Sequence, residues 1–126
     1  VDFANEKYCS IDGVLFNKDM TILIQYPSGK EFTEYTIPHG VTMIGSDAFQ
    51  SCNNLTSVTI SDSVTTIGPQ NFFNCNKITS VIIPDSVIML GDYVFSDCNS
   101  LACVTLPKGL TSIGSHLFGN CIVYSK

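Results

Sequence analysis

The chain has 126 residues, 44% of them hydrophobic and 13% charged, with a formal net charge of −5 at pH 7. That suits one domain with ample core material. Its six Lys and Arg form no cluster, which argues against a nucleic-acid partner, and no apolar run reaches the roughly 20 residues of a membrane-spanning helix. The sequence begins with Val1 and shows neither a basic start nor an apolar run over Val1 to Asn5. It therefore reads as a mature product or an excised piece, and the missing signal carries no information on export.

In chain order, residues 1–31 come first and stand apart from the rest. Two strands are predicted, Gly13 to Phe16 and Thr21 to Tyr26, joined by Asn17-Lys18-Asp19-Met20, because polar turn residues between apolar runs favour a hairpin. Pro27-Ser28-Gly29 is a further turn. This N-terminal β-hairpin reads either as a cap or inter-repeat spacer that shields Phe32, Tyr35 and Ile37, or as a dedicated binding site.

From Phe32 onward the chain repeats every 23 residues without gaps. The rows are 32–54, 55–77, 78–100 and 101–121, followed by a partial fifth at Ile122-Val123-Tyr124. Columns are chemically uniform: Phe32, Leu55, Ile78, Leu101; Tyr35, Val58, Val81, Val104; Ile37, Ile60, Ile83, Leu106; Phe49, Phe72, Phe95, Phe118. Each row opens with a short strand of alternating burial, such as Val58 and Ile60. Proline at 38, 84 and 107 ends that strand. A turn follows, then a second short strand such as Val64 to Ile67. Gly45, Gly68, Gly91 and Gly114 are predicted to make a sharp bend with positive φ, leading into an N-capped single turn of α- or 3₁₀-helix. No row can bury its apolar face alone, so the rows must stack as a one-dimensional array. Four rungs at strand spacing make a stub about 20 Å long. Both ends look cut, so the chain is expected to belong to a longer array or to self-associate end to end through open repeat ends.

These columns, read as L-x-x-[LV]-x-[IL]-P-x-x-[VL]-x-x-I-G-x-x-[AV]-F-x-x-C, resemble the BspA-like class of leucine-rich repeats over about 90 residues, Phe32 to Cys121. Ser61 in place of proline and Asn71 in place of a small apolar residue are the departures of row two. The resemblance implies a β-rich solenoid, a right-handed leucine-rich repeat stack of parallel short strands. It also implies extracellular or cell-surface display, with adhesion or binding of host or matrix proteins. It names no ligand, since ligand choice lies in the variable columns.

The cysteines Cys52, Cys75, Cys98 and Cys121 fall on the 23-residue grid. Zinc sites draw on close pairs, and the one close pair, Cys98 and Cys103, has no histidine in its columns. Disulfides between rungs meet the distance range, but stacked side chains point the same way. The favoured reading is a structural cysteine ladder of small hydrophobes with weak donors. Cys103 falls in an outward column, as an exposed thiol or a disulfide partner, and Cys9 has no assigned place. Asn53, Asn76 and Asn99 are read as satisfying turn backbone. No catalytic, metal or cofactor site is expected: His39 and His116 lie three rungs apart, the carboxylates are scattered over turns, and the glycines occur singly.

Threonine fills most outward columns, as its β-propensity allows. Row three breaks the pattern: Ile82 stands where Thr59 and Thr105 stand, Ile88 and Met89 replace Thr65 and Thr66, and Tyr93 replaces Gln70. Exposed apolar and aromatic groups can mark a contact surface, and these four residues are the candidate protein-contact set. Contact with a neighbouring domain, or ordinary tolerance of apolar residues at the surface, is the other reading of them, and Ile82 and Ile88 belong to different strands. The function expected from the whole is protein–protein recognition or adhesion without catalysis. The alternative is a structural spacer displaying another domain of a longer surface protein, and a weaker third reading is an enzyme or carbohydrate-binding accessory region.

Overall fold

A computed structural model describes residues 7–118. Asp12 and Gly13 both take positive φ, 53° and 84°, the geometry of the two-residue turns that match strand twist. They join β1 (Tyr8–Ile11) to β2 (Val14–Asn17) as an antiparallel hairpin. The sequence reading had no strand at β1. The Asn17 side chain then builds the next connection. Its Oδ1 accepts from the Thr21 and Ile22 N–H groups (2.8 and 2.9 Å), and its Nδ2 donates to Thr21 Oγ1 (2.8 Å). The chain turns there into β3 (Ile22–Gln25), which pairs antiparallel with β2 across a register shift.

On its other edge β3 pairs in parallel with β5 (Met43–Ile44), Leu23 opposite Ile44. The hairpin thus adds a rung to the solenoid. From there the same sheet continues through β7 (Thr66–Ile67), β9 (Met89–Leu90) and β11 (Ser112–Ile113), each pair displaced by one repeat. This second sheet has seven strands in the order β1-β2-β3-β5-β7-β9-β11. The first strands of the rungs are β4 (Glu34–Thr36), β6 (Ser57–Thr59), β8 (Ser80–Ile82) and β10 (Cys103–Thr105). They pair as β4 with β6 and β8 with β10, in two separate sheets. The result is a β-solenoid of about four turns with parallel strands.

The predicted helical turns do not form: the described residues contain no helix. Two left-handed residues per rung prevent it, Asp47 and Ser51, Gln70 and Asn74, Tyr93 and Asp97, all with φ between 56° and 61°. The N–H groups here run between rungs. Gln70 donates to Asp92 O, Phe72 to Val94 O and Asn74 to Ser96 O (2.8, 2.8 and 2.9 Å). The turn side is thus a third ladder.

The glycine column also has a different cause from the one expected. Positive φ among glycines occurs at Gly13 and Gly40, and not at Gly68 or Gly91. A Cβ at Gly91 would lie 2.5 Å from Pro69 N, and one at Gly68 would lie 3.0 Å from Ile44 O. These glycines are required by the close approach of the rung below.

The core is built from repeated columns. Phe49, Phe72 and Phe95 are fully buried, and their rings stack at 5.2 and 5.6 Å between centroids. Tyr26 caps the stack at 5.3 Å from Phe49, and Phe118 continues it at 5.7 Å from Phe95. Row two's Asn71 is buried in the column of Ala48 and Val94, where its Nδ2 donates to Gly45 O (2.6 Å) and Gly68 O (3.2 Å). Phe32 is the exception to its column. Leu55, Ile78 and Leu101 are buried, but Phe32 is 60% exposed beneath the Lys30 ammonium. Residues before the other three come off the Cys-Asn turn, whereas the turn at Pro27–Lys30 leads the chain into Phe32. The N-terminal hairpin does not shield it.

Candidate protein-contact surface

Ile88 immediately precedes β9, Met89 lies in it, and Tyr93 is in the turn that follows. Ile88 is 46% exposed, Met89 44% and Tyr93 37%. The register brings Met89 beside Thr66, and Thr66 beside Met43, which is itself 37% exposed. Sequence reasoning missed Met43, although it stands in the Met89 column. The fourth candidate is placed elsewhere: Ile82, 70% exposed, is in β8 of the first sheet. The candidate set therefore divides: Ile88, Met89 and Tyr93 lie at β9 and its turn, on the side of Met43, and Ile82 lies on another sheet.

Tyr93 has a local peculiarity. It sits at φ 60°, a left-handed conformation that favours Gly, Asn or Asp and penalises a bulky side chain. Its ring stacks on His116 one rung later, 5.0 Å between centroids and 8° from parallel. An exposed aromatic pair therefore stands on the turn that follows β9.

Other candidate groups serve the lattice. Cys75 Sγ donates to Phe49 O (3.0 Å) and Cys98 Sγ to Phe72 O (2.9 Å), each reaching the rung below. Cys52 is buried below them, and Cys121 lies outside the described residues. A hydrogen bond with Cys52, and then burial, hold the Cys75 thiol well above its ordinary range. Cys9 lies in β1 opposite Phe16, and Cys103 is exposed in β10. Asp85 Oδ1 accepts from Lys108 N–H (2.9 Å) and Asp92 Oδ1 from Ser115 N–H (2.7 Å), so these carboxylates cap the next rung. Asn53 Oδ1 accepts from Asn76 N–H, and Asn99 Nδ2 donates to Asn76 Oδ1 (3.4 and 3.5 Å), linking one rung's turn to the next. His39 pairs with exposed Asp62 at 3.5 Å, far along the chain from His116. Among the described residues no three His, Cys, Asp or Glu side chains gather as metal ligands. No helix among them is long and apolar enough to cross a membrane.

Comparison with known proteins gives a consistent picture. The sequence profile of the BspA type leucine-rich repeat region matches residues 22–125, in six copies. No curated protein matches the chain. Among solved structures, a leucine-rich cell surface protein from Faecalibacterium prausnitzii is 37% identical with a TM-score of 0.85, over 91% of this chain and 31% of its own. The pneumococcal vaccine antigen PcpA is 30% identical with a TM-score of 0.91, over 94% of this chain and 29% of its own. A leucine-rich repeat protein from Eubacterium ventriosum is 30% identical with a TM-score of 0.84, over 90% of this chain and 34% of its own. The chain spans about a third of the length of each.

Proposed function

Because the chain belongs to the BspA-type leucine-rich repeat family, we propose that it is a recognition module of an extracellular or cell-surface protein. Its contact face is the outer side of the second sheet at Ile88, Met89 and Tyr93. The observation that carries this reading is local. In one rung, outward positions held elsewhere by Thr42, Thr65, Thr66 and Thr111 are apolar, and the turn that follows carries an exposed ring pair. Aromatic and Met side chains are enriched at the cores of protein interfaces. The partner is a protein, on a host surface or in an extracellular matrix. Surface location is supported by the relatives described as a cell surface protein and a vaccine antigen.

The test is a solid-phase binding array of matrix and host-surface proteins. It is probed with the wild-type chain, an Ile88→Thr/Met89→Thr/Tyr93→Gln variant, and an Ile82→Thr control. The triple variant is expected to lose at least about tenfold in affinity for whichever protein the wild type captures, and the control to retain it. Equal binding by all three sinks the assignment of this face.

A second reading has its own support. The chain spans about a third of the length of relatives that are themselves leucine-rich repeat proteins. That favours a spacer joined to further rungs, or end-to-end stacking of copies. Sedimentation of the isolated chain separates these, since stacking copies grow with concentration and a spacer stays monomeric.

A further inference from the structure

The two junctions flanking the middle of the solenoid are bonded alike on the first-strand side. Between rungs one and two, Thr56 and Ser57 N–H both donate to Thr33 O (2.7 and 3.3 Å), and Ile37 N–H donates to Thr59 O (2.9 Å). Between rungs three and four, Ala102 and Cys103 N–H donate to Thr79 O (2.8 and 3.3 Å), and Ile83 N–H donates to Thr105 O (3.0 Å). The corresponding groups between rungs two and three are Thr79 and Ser80 N–H facing Thr56 O, and Ile60 N–H facing Ile82 O. None of these bonds forms, and β6 and β8 stand in separate sheets. A cleft of about 310 Å³ opens there, lined by Ser57, Thr59, Ile60, Ser80, Ile82 and Pro84.

The other two sides hold across the same junction. Thr66 pairs with Met89 and Ile67 with Leu90, and Gly91 N–H donates to Ile67 O (2.9 Å). On the turn side Phe72 N–H donates to Val94 O (2.8 Å). Behind the cleft the Phe72 and Phe95 centroids are 5.6 Å apart. The cleft is therefore a wedge that narrows to ordinary rung spacing. An inserted strand needs about twice the ~4.8 Å between paired strands, so the wedge cannot accept one without breaking the core stack.

Just past the first strands, side chains sort the rungs into the same pairs. Row two has Ser61 where the others have Pro38, Pro84 and Pro107. Ser61 Oγ donates back to Pro38 O (3.4 Å), Ser63 Oγ donates back to Val41 O (2.7 Å), and Ser63 Oγ accepts from Gly40 N–H (3.1 Å). These bonds draw the end of β6 towards rung one. Asp85, one rung on, is bonded forward to Lys108 N–H. On this side rung two is tied back and rung three is tied forward, with no first-strand bond between them.

We propose that this junction is a hinge. Rungs one and two move as one unit and rungs three and four as another, about the continuous second sheet and turn side, while the wedge opens and closes. Two states follow from the chemistry. Ile60 is buried with its N–H unpaired when the wedge is open, and closure gives that N–H the Ile82 carbonyl its counterparts enjoy. Opening in turn hydrates the exposed strand β8. Because the second sheet keeps its register, the motion changes the curvature of the solenoid without dividing the face that carries Met43 and Met89.

Site-resolved NMR of the whole chain tests this through amide exchange and microsecond-to-millisecond relaxation dispersion. The Ile60 amide is expected to exchange at least 100-fold faster than those of Ile37 and Ile83. Dispersion is expected at Val58–Ile60 and Ser80–Ile82 and absent at Thr66–Ile67 and Met89–Leu90. Protection of Ile60 equal to that of Ile37 means the ladder is closed in solution and overturns the hinge. Fast exchange at Ile60 with flat dispersion on both sheets means a static gap and overturns it equally.

Discussion

Phe72 and Thr66 lie in the same rung, yet the columns they belong to obey opposite rules. The inward column is Phe at every rung, with rings 17° and 6° from parallel through Phe49, Phe72 and Phe95. The outward column of the second sheet reads Ile22, Met43, Thr66, Met89, Ser112, different at nearly every step. Both columns ride on one backbone lattice with one period. What differs is the neighbour each side chain must fit. An inward ring packs on its own copy above and below, so any change is felt twice. An outward side chain meets solvent or a partner, so its identity is free to be chosen for contact.

The largest way to break this contrast is Phe72→Ala. It removes the middle ring of the stack and is expected to cost about 3–5 kcal/mol, transfer and cavity contributions together. Ile88→Thr and Met89→Thr, on the exposed face, should each stay within about 0.5 kcal/mol. Urea unfolding followed by circular dichroism measures both. An outward substitution as costly as Phe72→Ala would mean that the exposed columns also hold the fold together.

The inward column was largely legible in the sequence for this reason. Uniform residues at a fixed spacing announce a stack, and Val58, Val81 and Val104 are buried where the alternation put them. Conformations were less legible. Gly91 signals a special backbone, but the letter does not distinguish positive φ from a close approach, and here the nearness of Pro69 decides. Asp97 and Asn74 suit left-handed positions, a cue passed over in favour of a helical turn. The Asp12-Gly13 turn was also readable as a hairpin signal. The pairing of β3 with β5 was not, because Ile22 and Leu23 precede the first full repeat and their register depends on the Asn17 side chain. At the contact face, the departures of row three were visible. Their division between two sheets needed the strand order.

Two groups in other inward columns, Tyr35 and Cys75, set a pH dependence of stability. Burial, with Tyr26 and Asp12 nearby, pushes the Tyr35 hydroxyl up to about 12, and the Cys75 thiol is raised as well. Both groups are neutral when protonated, and the unfolded chain loses their protons first. Their contribution is complete at neutral pH, begins to fall near pH 9 for the thiol, and is lost between pH 10 and 12 for Tyr35. Tyr35 is only half-buried, so solvent screening reduces the loss to about 1–2 kcal/mol. Burial raises the Tyr26 hydroxyl as well, so urea midpoints should be level from pH 7 to pH 9 and decline above, with Tyr35→Phe making the decline between 10 and 12 shallower. A Tyr35→Phe profile identical to wild type rejects the assignment.

The smallest effect is the sharpest, because stability and binding must respond differently to one substitution. Tyr93 occupies a left-handed position where its Cβ is penalised by about 1–2 kcal/mol. Its stack on His116 returns about 0.5–1.5 kcal/mol. Asparagine tolerates the left-handed backbone, so Tyr93→Asn relieves the first and forfeits the second. The net change in stability is expected to lie between about 0.5 kcal/mol destabilising and about 1.5 kcal/mol stabilising. Binding to the partner protein should nonetheless weaken at least about tenfold, because the exposed aromatic edge is gone. A residue that lowers stability where it stands and raises affinity is retained for contact. If Tyr93→Asn lowers stability beyond that range and leaves binding untouched, the ring belongs with Phe95 as part of the stack, and the contact face shrinks to Ile88 and Met89.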